Sequence, residues 1–467
     1  MADQESGGAV LPGRGSGWRG RWQQAARARL LRNIATAVSG SAGAQAINLA
    51  LIPVIMRIYG PEAFGVVGTF QSLTIILIPA CALTWPMAIV LPKSDADARG
   101  LIILSLWVAL SIASVSALLL YFQGPAMASA LGIDMLTPYL MLLPIVMFSA
   151  AVLEITQQWL YRTQRFSLTA RGATLHALVY NATRSLAGLV QASAPVLVVT
   201  SALYYVIHSA LLLLGMTFKP TANNLAPTNP PTSVSLTKLA AQYRDFPLFR
   251  APQVLINALS VHMPTLVLAA SFGAVSAGFF ALCLQVLSMP SNFIGKAVGS
   301  VYYPRITQAI HTDEPVTRLL VRGVAGMALV GIVPFATLAL AGPWLFGLVF
   351  GAQWAAAGEY ARWLALAEFA GFIAGPCAVA IPALALQKRF LFFEIVSTTL
   401  RVVAVFAGAL LFKNALAVVM AFAAANTAIN LSLIVVVLFE ARRWHQRQNR
   451  PARDLSSAQE SSEHGHG

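Results

Sequence analysis

Arg184, Lys296 and Arg401 each fall within stretches that are otherwise apolar. A charged side chain is costly in hydrocarbon, so such residues face protein or a water-filled cavity, and basic ones there suit the binding of an anion. Guanidinium forks at 184 and 401 would grip it bidentately, whereas Lys296 would offer a point charge. Two acids, Glu154 and Glu368, sit in similar surroundings and are candidates for binding a coupling ion. Amides recur at helical spacing: Gln45 and Asn48, Gln253 and Asn257, Gln285 and Asn292. These would line a polar cavity and meet the hydroxyls of a substrate.

Each of these residues has a plainer reading. Asn and Gln stripes also serve as hydrogen-bonding glue between membrane helices. Lys296 can snorkel to an interface, Arg401 can pair with Glu394 or Glu368, and Arg184 would reach an interface if its helix is short. Glu154 can be a neutral buried acid, and His208 and His262 read as core histidines. No paired carboxylates or nucleophile motif marks a catalytic site, so no enzyme is expected. The cysteines, Cys81, Cys283 and Cys377, lie in apolar runs as small core side chains, and no metal site or cofactor is expected.

The elements that position these residues follow from composition. Of 467 residues, 57% are hydrophobic and 10% charged, where soluble proteins carry about 25% charged residues. Such a chain cannot cover its apolar surface in water, and it reads as an all-α integral membrane protein. With about 20 residues to a span, hydrophobic runs predict twelve helices. They cover roughly 33–56, 64–90, 101–122, 136–160, 173–190, 194–217, 251–271, 277–298, 319–341, 361–386, 390–412 and 415–439. The fifth is the weakest, being interrupted by His176, Asn181 and Arg184.

The net charge of +14 suggests nucleic acid until the basic residues are placed. With these helices 25 of the 31 Lys and Arg fall on one side, three on the other (Arg57, Arg362, Lys413) and three within spans. That asymmetry predicts a multi-pass membrane protein with both termini cytoplasmic, and removes nucleic acid as a partner. The organisation expected is a basic, retained arm over 1–32 and a six-helix lobe over 33–218. A cytoplasmic linker over 219–250, a second lobe over 251–440 and a disordered tail over 441–467 follow. The linker starts as KPTANNLAPTNPPTS and ends in a short amphipathic helix carrying Leu236, Leu239, Ala240 and Tyr243. On the opposite face Trp344, Phe346, Phe350 and Trp354 suit an interfacial aromatic belt.

A weak repeat relates the halves. Tyr59-Gly60 is followed by Gly65, and Phe272-Gly273 by Gly278, five residues later in each case. Ser41, Gln45 and Asn48 in the first helix have counterparts in Gln253, Asn257 and Ser260 of the seventh. The shared order predicts two lobes related by a pseudo-two-fold axis along the membrane normal, with a central cavity between them.

Four segments carry a family resemblance: IYGPEAFGVVGTFQSL (58–73), PMAIVLPKSDADARGL (86–101), YRDFPLFRAPQVLINALSVHMPTLVLAASFG (243–273) and LVFGAQWAAAGEYARWL (348–364). The chain resembles bacterial polysaccharide transporters, the lipid-linked oligosaccharide flippases of the multidrug/oligosaccharidyl-lipid/polysaccharide exporter superfamily. The resemblance implies a V-shaped cavity and the flipping of undecaprenyl-pyrophosphate-linked repeat units for surface polysaccharide. It implies basic groups in the cavity without fixing their positions. Partners expected are the lipid-linked oligosaccharide, the bilayer, and polysaccharide polymerase and co-polymerase proteins. Coupling to an H+ or Na+ gradient would use Glu154 or Glu368. The alternatives are a multidrug exporter of the same superfamily, a lipid II flippase, and a membrane-embedded polymerase or ligase.

Overall fold

The computed structural model describes residues 42–218, 235–312, 314–384 and 386–463; the side chains of 292–297, 299–301, 311, 387–388, 445 and 447–463 are outside that description. The expected basic arm and the Pro-rich part of the linker lie outside the described residues. The described chain is helical: α1 (Ala42–Ile58), α2 (Pro61–Cys81), α3 (Asp95–Ala130), α4 (Leu142–Arg162), α5 (Phe166–Val190) and α6 (Ala194–Phe218) come first. A short α7 (Leu236–Gln242) precedes α8 (Ala251–His311), α9 (Val316–Phe350), α10 (Ala355–Ala383), α11 (Gln387–Phe412) and α12 (Ala415–Glu463). Among the described residues nine helices are long and apolar enough to cross a membrane, one of them covering Phe246–Ser291. That one bends at Gly273, whose φ of 81° only glycine adopts freely, so α8 has two legs. The other expected spans fall on α1 and on the polar α5.

Several ends differ from expectation for identifiable reasons. α2 stops at Cys81, not near 90, because Pro86 resists a continuing helix. The chain turns through Leu83 and Thr84, both in left-handed conformation, into a 3-10 turn over Trp85–Val90. α3 begins six residues early, where the Ser94 hydroxyl accepts from the Ala96 N–H at 3.1 Å and Asp95 and Asp97 complement the helix dipole. Hydropathy alone misses such a capped polar turn. α12 continues to Glu463 through the segment expected to lack structure, its Arg, Gln, Ala and Glu being good helix formers.

α2 lies along α8 as the main contact between the halves, and the largest apolar core draws on both. α7 packs on α3, with Leu239 buried over Gly100. The aromatic belt expected at 344–354 is not formed as such. Trp344 is 66% exposed, but Phe346, Phe350 and Trp354 are buried. α9 carries on through Phe350, and a 3-10 turn over Ala352–Trp354 folds the last ring inward.

Candidate functional site

α5 holds Asn181 and Arg184 on its buried side, against α1 and α6. The Asn181 amide donates to Asn48 Oδ1 of α1 at 2.6 Å and to the Ala177 carbonyl at 2.7 Å. One turn on, the Arg184 carbonyl accepts from the Tyr59 hydroxyl at 3.0 Å. Its guanidinium lies 5.2 Å from the centre of the Tyr180 ring, a cation–π arrangement. The residue is only 6% exposed, and its Nε and Nη2 have no hydrogen-bond partner.

That guanidinium helps line a cavity of about 530 Å³ between the halves. Asn48, Gln71, Tyr180, Ser201, Tyr204 and Tyr205 contribute from one side, and His262, Thr265, Gln285, Ser288 and Glu368 from the other. A neighbouring cavity of about 460 Å³ is lined by Glu154, Gln157 and Asn257, and shares Ile75, Tyr205, Val261 and His262 with the first. The two therefore adjoin along α2, α6 and the first leg of α8. His262, read from sequence as a core histidine, faces both. His208 instead stacks on His176 with ring centres 4.4 Å apart, inside the first half.

The structure divides the candidates that looked alike in sequence. Arg184, Glu368, Gln285 and Asn48 share one cavity, and Glu154 and Asn257 face the other. Gln45 and Gln253 line neither; Gln253 accepts from Arg250 at 2.9 Å at the start of α8. Arg401 lines neither cavity. It donates to Asn426 Oδ1 at 3.1 Å and Ser260 Oγ at 3.0 Å, with Glu394 4.0 Å away. Asn257 donates to the same Glu394 at 3.1 Å. Arg401 thus ties α8, α11 and α12 together, the structural pairing left open by the sequence. The side chains of Asn292 and Lys296 lie outside the described residues.

Sequence reading missed Gln71 and the α6 face. Ser201, Tyr204, Tyr205 and His208 follow i, i+3, i+4, i+7, so that face was visible as a polar stripe. Tyr180 and Ser201 hydroxyls lie 3.4 Å apart, and Gln71 donates to Ser201 Oγ at 3.3 Å, joining α2, α5 and α6. Among the described residues no group of three His, Cys, Asp or Glu is placed to hold a metal ion.

A protein-family model described as polysaccharide biosynthesis protein matches residues 54–359. The succinoglycan biosynthesis transport protein ExoT of Rhizobium meliloti (strain 1021) is 25% identical over 369 residues, which are 76% of this chain and 68% of that protein. Among solved structures, an inward-facing multidrug resistance MATE family transporter of the MOP superfamily superposes with a TM-score of 0.66 at 13% identity, covering 85% of this chain and 94% of its own. A mutant of the Vibrio cholerae MATE transporter VcmN gives 0.53 at 15% identity, over 90% and 96%. These two likenesses establish the fold.

Proposed function

The chain belongs to the polysaccharide biosynthesis protein family, and from that premise we propose that it flips undecaprenyl-pyrophosphate-linked oligosaccharide repeat units across the bacterial inner membrane by alternating access. It is a multi-pass membrane transporter, and in this reading it moves its substrate without chemical change. The observation that carries the proposal is Arg184, a buried guanidinium with two unpartnered nitrogens beside a cavity. An unpaired cation within a membrane protein is expensive, and such residues mark substrate or ion pathways. A pyrophosphate supplies the missing acceptors in bidentate geometry.

The rest of the substrate suits the surroundings. A pyrophosphate bearing sugars cannot cross about 30 Å of hydrocarbon alone, so the wall must replace water for it. Asn48, Gln71, Gln285 and Ser288 offer hydrogen bonds to hydroxyls, Tyr204 and Tyr205 offer ring faces, and the prenyl chain remains in lipid. Both termini are cytoplasmic in this reading, from the distribution of Lys and Arg. Glu368, in the same cavity, is the candidate for carrying a proton or sodium ion, with Glu154 in the neighbouring one. Lys296 remains a proposed second cation on the second leg of α8.

Glu368 also supports the second reading, a multidrug exporter, since a lone acid there would attract organic cations. Arg184 in the same wall argues against it, because like charges repel. The test is export of lipid-linked sugar by Arg184→Ala at matched protein abundance, alongside resistance to cationic drugs. Loss of sugar export with drug resistance unaltered is expected; full export by Arg184→Ala would overturn the proposal.

A further inference from the structure

The two halves hold each other by the ends of their helices. α1 ends at Ile58, so the Met56 carbonyl is among those without a partner inside the helix. It accepts from Trp354 Nε1 at 2.8 Å and Gln353 Nε2 at 3.1 Å, both from the turn after α9. α9 ends at Phe350, and its Leu348 and Val349 carbonyls accept from Arg57 Nη2 at 2.7 Å and Nε at 3.2 Å. Each half therefore caps a helix C-terminus of the other. Trp354 is wedged between Phe64 of α2 and Phe279 of α8, with ring centres 5.6 and 6.0 Å away. The Trp354–Met56 bond is buried, so its two groups exchange each other for water only when the turn after α9 swings away from α1. The remaining polar residue of the turn points elsewhere. Tyr59 is fully buried, its ring against Gly188 and its hydroxyl on the Arg184 carbonyl.

We propose that this reciprocal cap is the gate on the side opposite the positively charged loops, and that Tyr59 is a positioning residue coupling it to the anion held by Arg184. The second part rests on the anion-site reading given above. Met56, Arg57 and Tyr59 occupy one turn, so a pull on the α5 backbone at Arg184 is transmitted by the Tyr59 hydroxyl to both caps. Anion binding, which draws the guanidinium into the cavity, is expected to loosen the cap and favour opening on that side.

The test uses the full chain in lipid nanodiscs, with Cys81, Cys283 and Cys377 replaced by Ala and spin labels on Glu62→Cys and Leu348→Cys. Distances between the labels are measured with and without geranylgeranyl pyrophosphate, and its binding is measured separately. Without the probe a single short distance is expected, and Arg57→Ala and Trp354→Phe should each add a longer one. The probe should populate the longer distance in the parent, and Tyr59→Phe should bind it as the parent does yet lose that response by about fivefold or more. Arg57→Ala and Trp354→Phe proteins that keep the single short distance would refute the gate. A Tyr59→Phe protein that responds like the parent, or a parent that binds the probe without responding, would refute the coupling and leave the anion site standing. A parent that does not bind the probe would instead remove the anion site, and the coupling with it.

Discussion

Gly65 of α2 and Gly278 of α8 meet backbone to backbone at the junction of the two halves. A Cβ on Gly278 would lie 2.3 Å from the Pro61 carbonyl oxygen and 2.9 Å from the Gly65 nitrogen; one on Gly65 would lie 1.7 Å from the Ala274 carbonyl oxygen. These are the two glycines that the internal repeat places five residues after Gly60 and Gly273. Equivalent positions in the two halves therefore face each other, as positions close to a pseudo-two-fold axis do. One turn along, a Cβ on Gly68 would come within 2.7 Å of the Ala281 Cβ, so the close approach continues. In a membrane, where apolar surface gains little by helix association, such backbone proximity lets van der Waals contact hold the helices together.

Gly65→Ala and Gly278→Ala should each destabilise the protein, because the obstructing atoms are backbone and cannot rotate away. Overpacking of this kind costs about 1–3 kcal/mol. Thermal unfolding in detergent checks it, with Gly326→Ala as the control, since nothing lies within 4 Å of that position. Equal unfolding temperatures for all three would show that the junction yields.

Arg184 and Arg401 should separate in a comparison of abundance with activity. Arg184→Ala is expected to fold and fail in export, and Arg184→Lys to recover only part, because a point charge lacks the planar fork. Arg401→Ala should lower folded protein by leaving Glu394 without its counter-charge, held by Asn257 alone, and Asn426 without its donor, a loss of about 3–5 kcal/mol for a buried pair. Adding Glu394→Gln should restore part of it. Stable Arg401→Ala protein with no export would place that guanidinium on the substrate instead.

Glu368→Gln removes the ionisable group from the central cavity while keeping its shape. In proteoliposomes, flipping by the parent should rise with an imposed proton or sodium gradient, and flipping by Glu368→Gln should not respond to either. Glu154→Gln tests the neighbouring cavity in the same way. Retention of the gradient response in both variants would exclude these acids as the coupling site.

Orientation is checked by thiol labelling in a background free of native cysteines. An impermeant reagent outside intact spheroplasts should modify Asp134→Cys and Leu348→Cys and spare Lys93→Cys until the membrane is broken. All three side chains are exposed on the surface of the fold, so the reverse pattern would invert the topology and place the α1–α9 cap at the cytoplasmic face.

What the sequence determined by itself was the helix order and the charge bias, which depend on local composition, though not every helix end. Apolar runs set the order of the helices, and the bias of Lys and Arg set their expected orientation. The repeat around Gly65 and Gly278 marked corresponding places in the two halves, because glycine spacing survives as a chemical pattern along the chain. Long-range proximity left no such trace. Arg184 and Arg401 look equivalent in sequence, each an arginine within a membrane span. The fold puts Glu394, Ser260 and Asn426 around one and leaves two nitrogens of the other unpartnered beside a cavity. Trp354 looked like an interfacial ring until the turn after α9 carried it between α2 and α8, where its N–H meets a carbonyl of α1 nearly 300 residues away. Helix identity follows from hydropathy and spacing, which each segment carries in its own residues; whether a buried charge is paired or free depends on which helices pack beside it, and only the tertiary structure decides that.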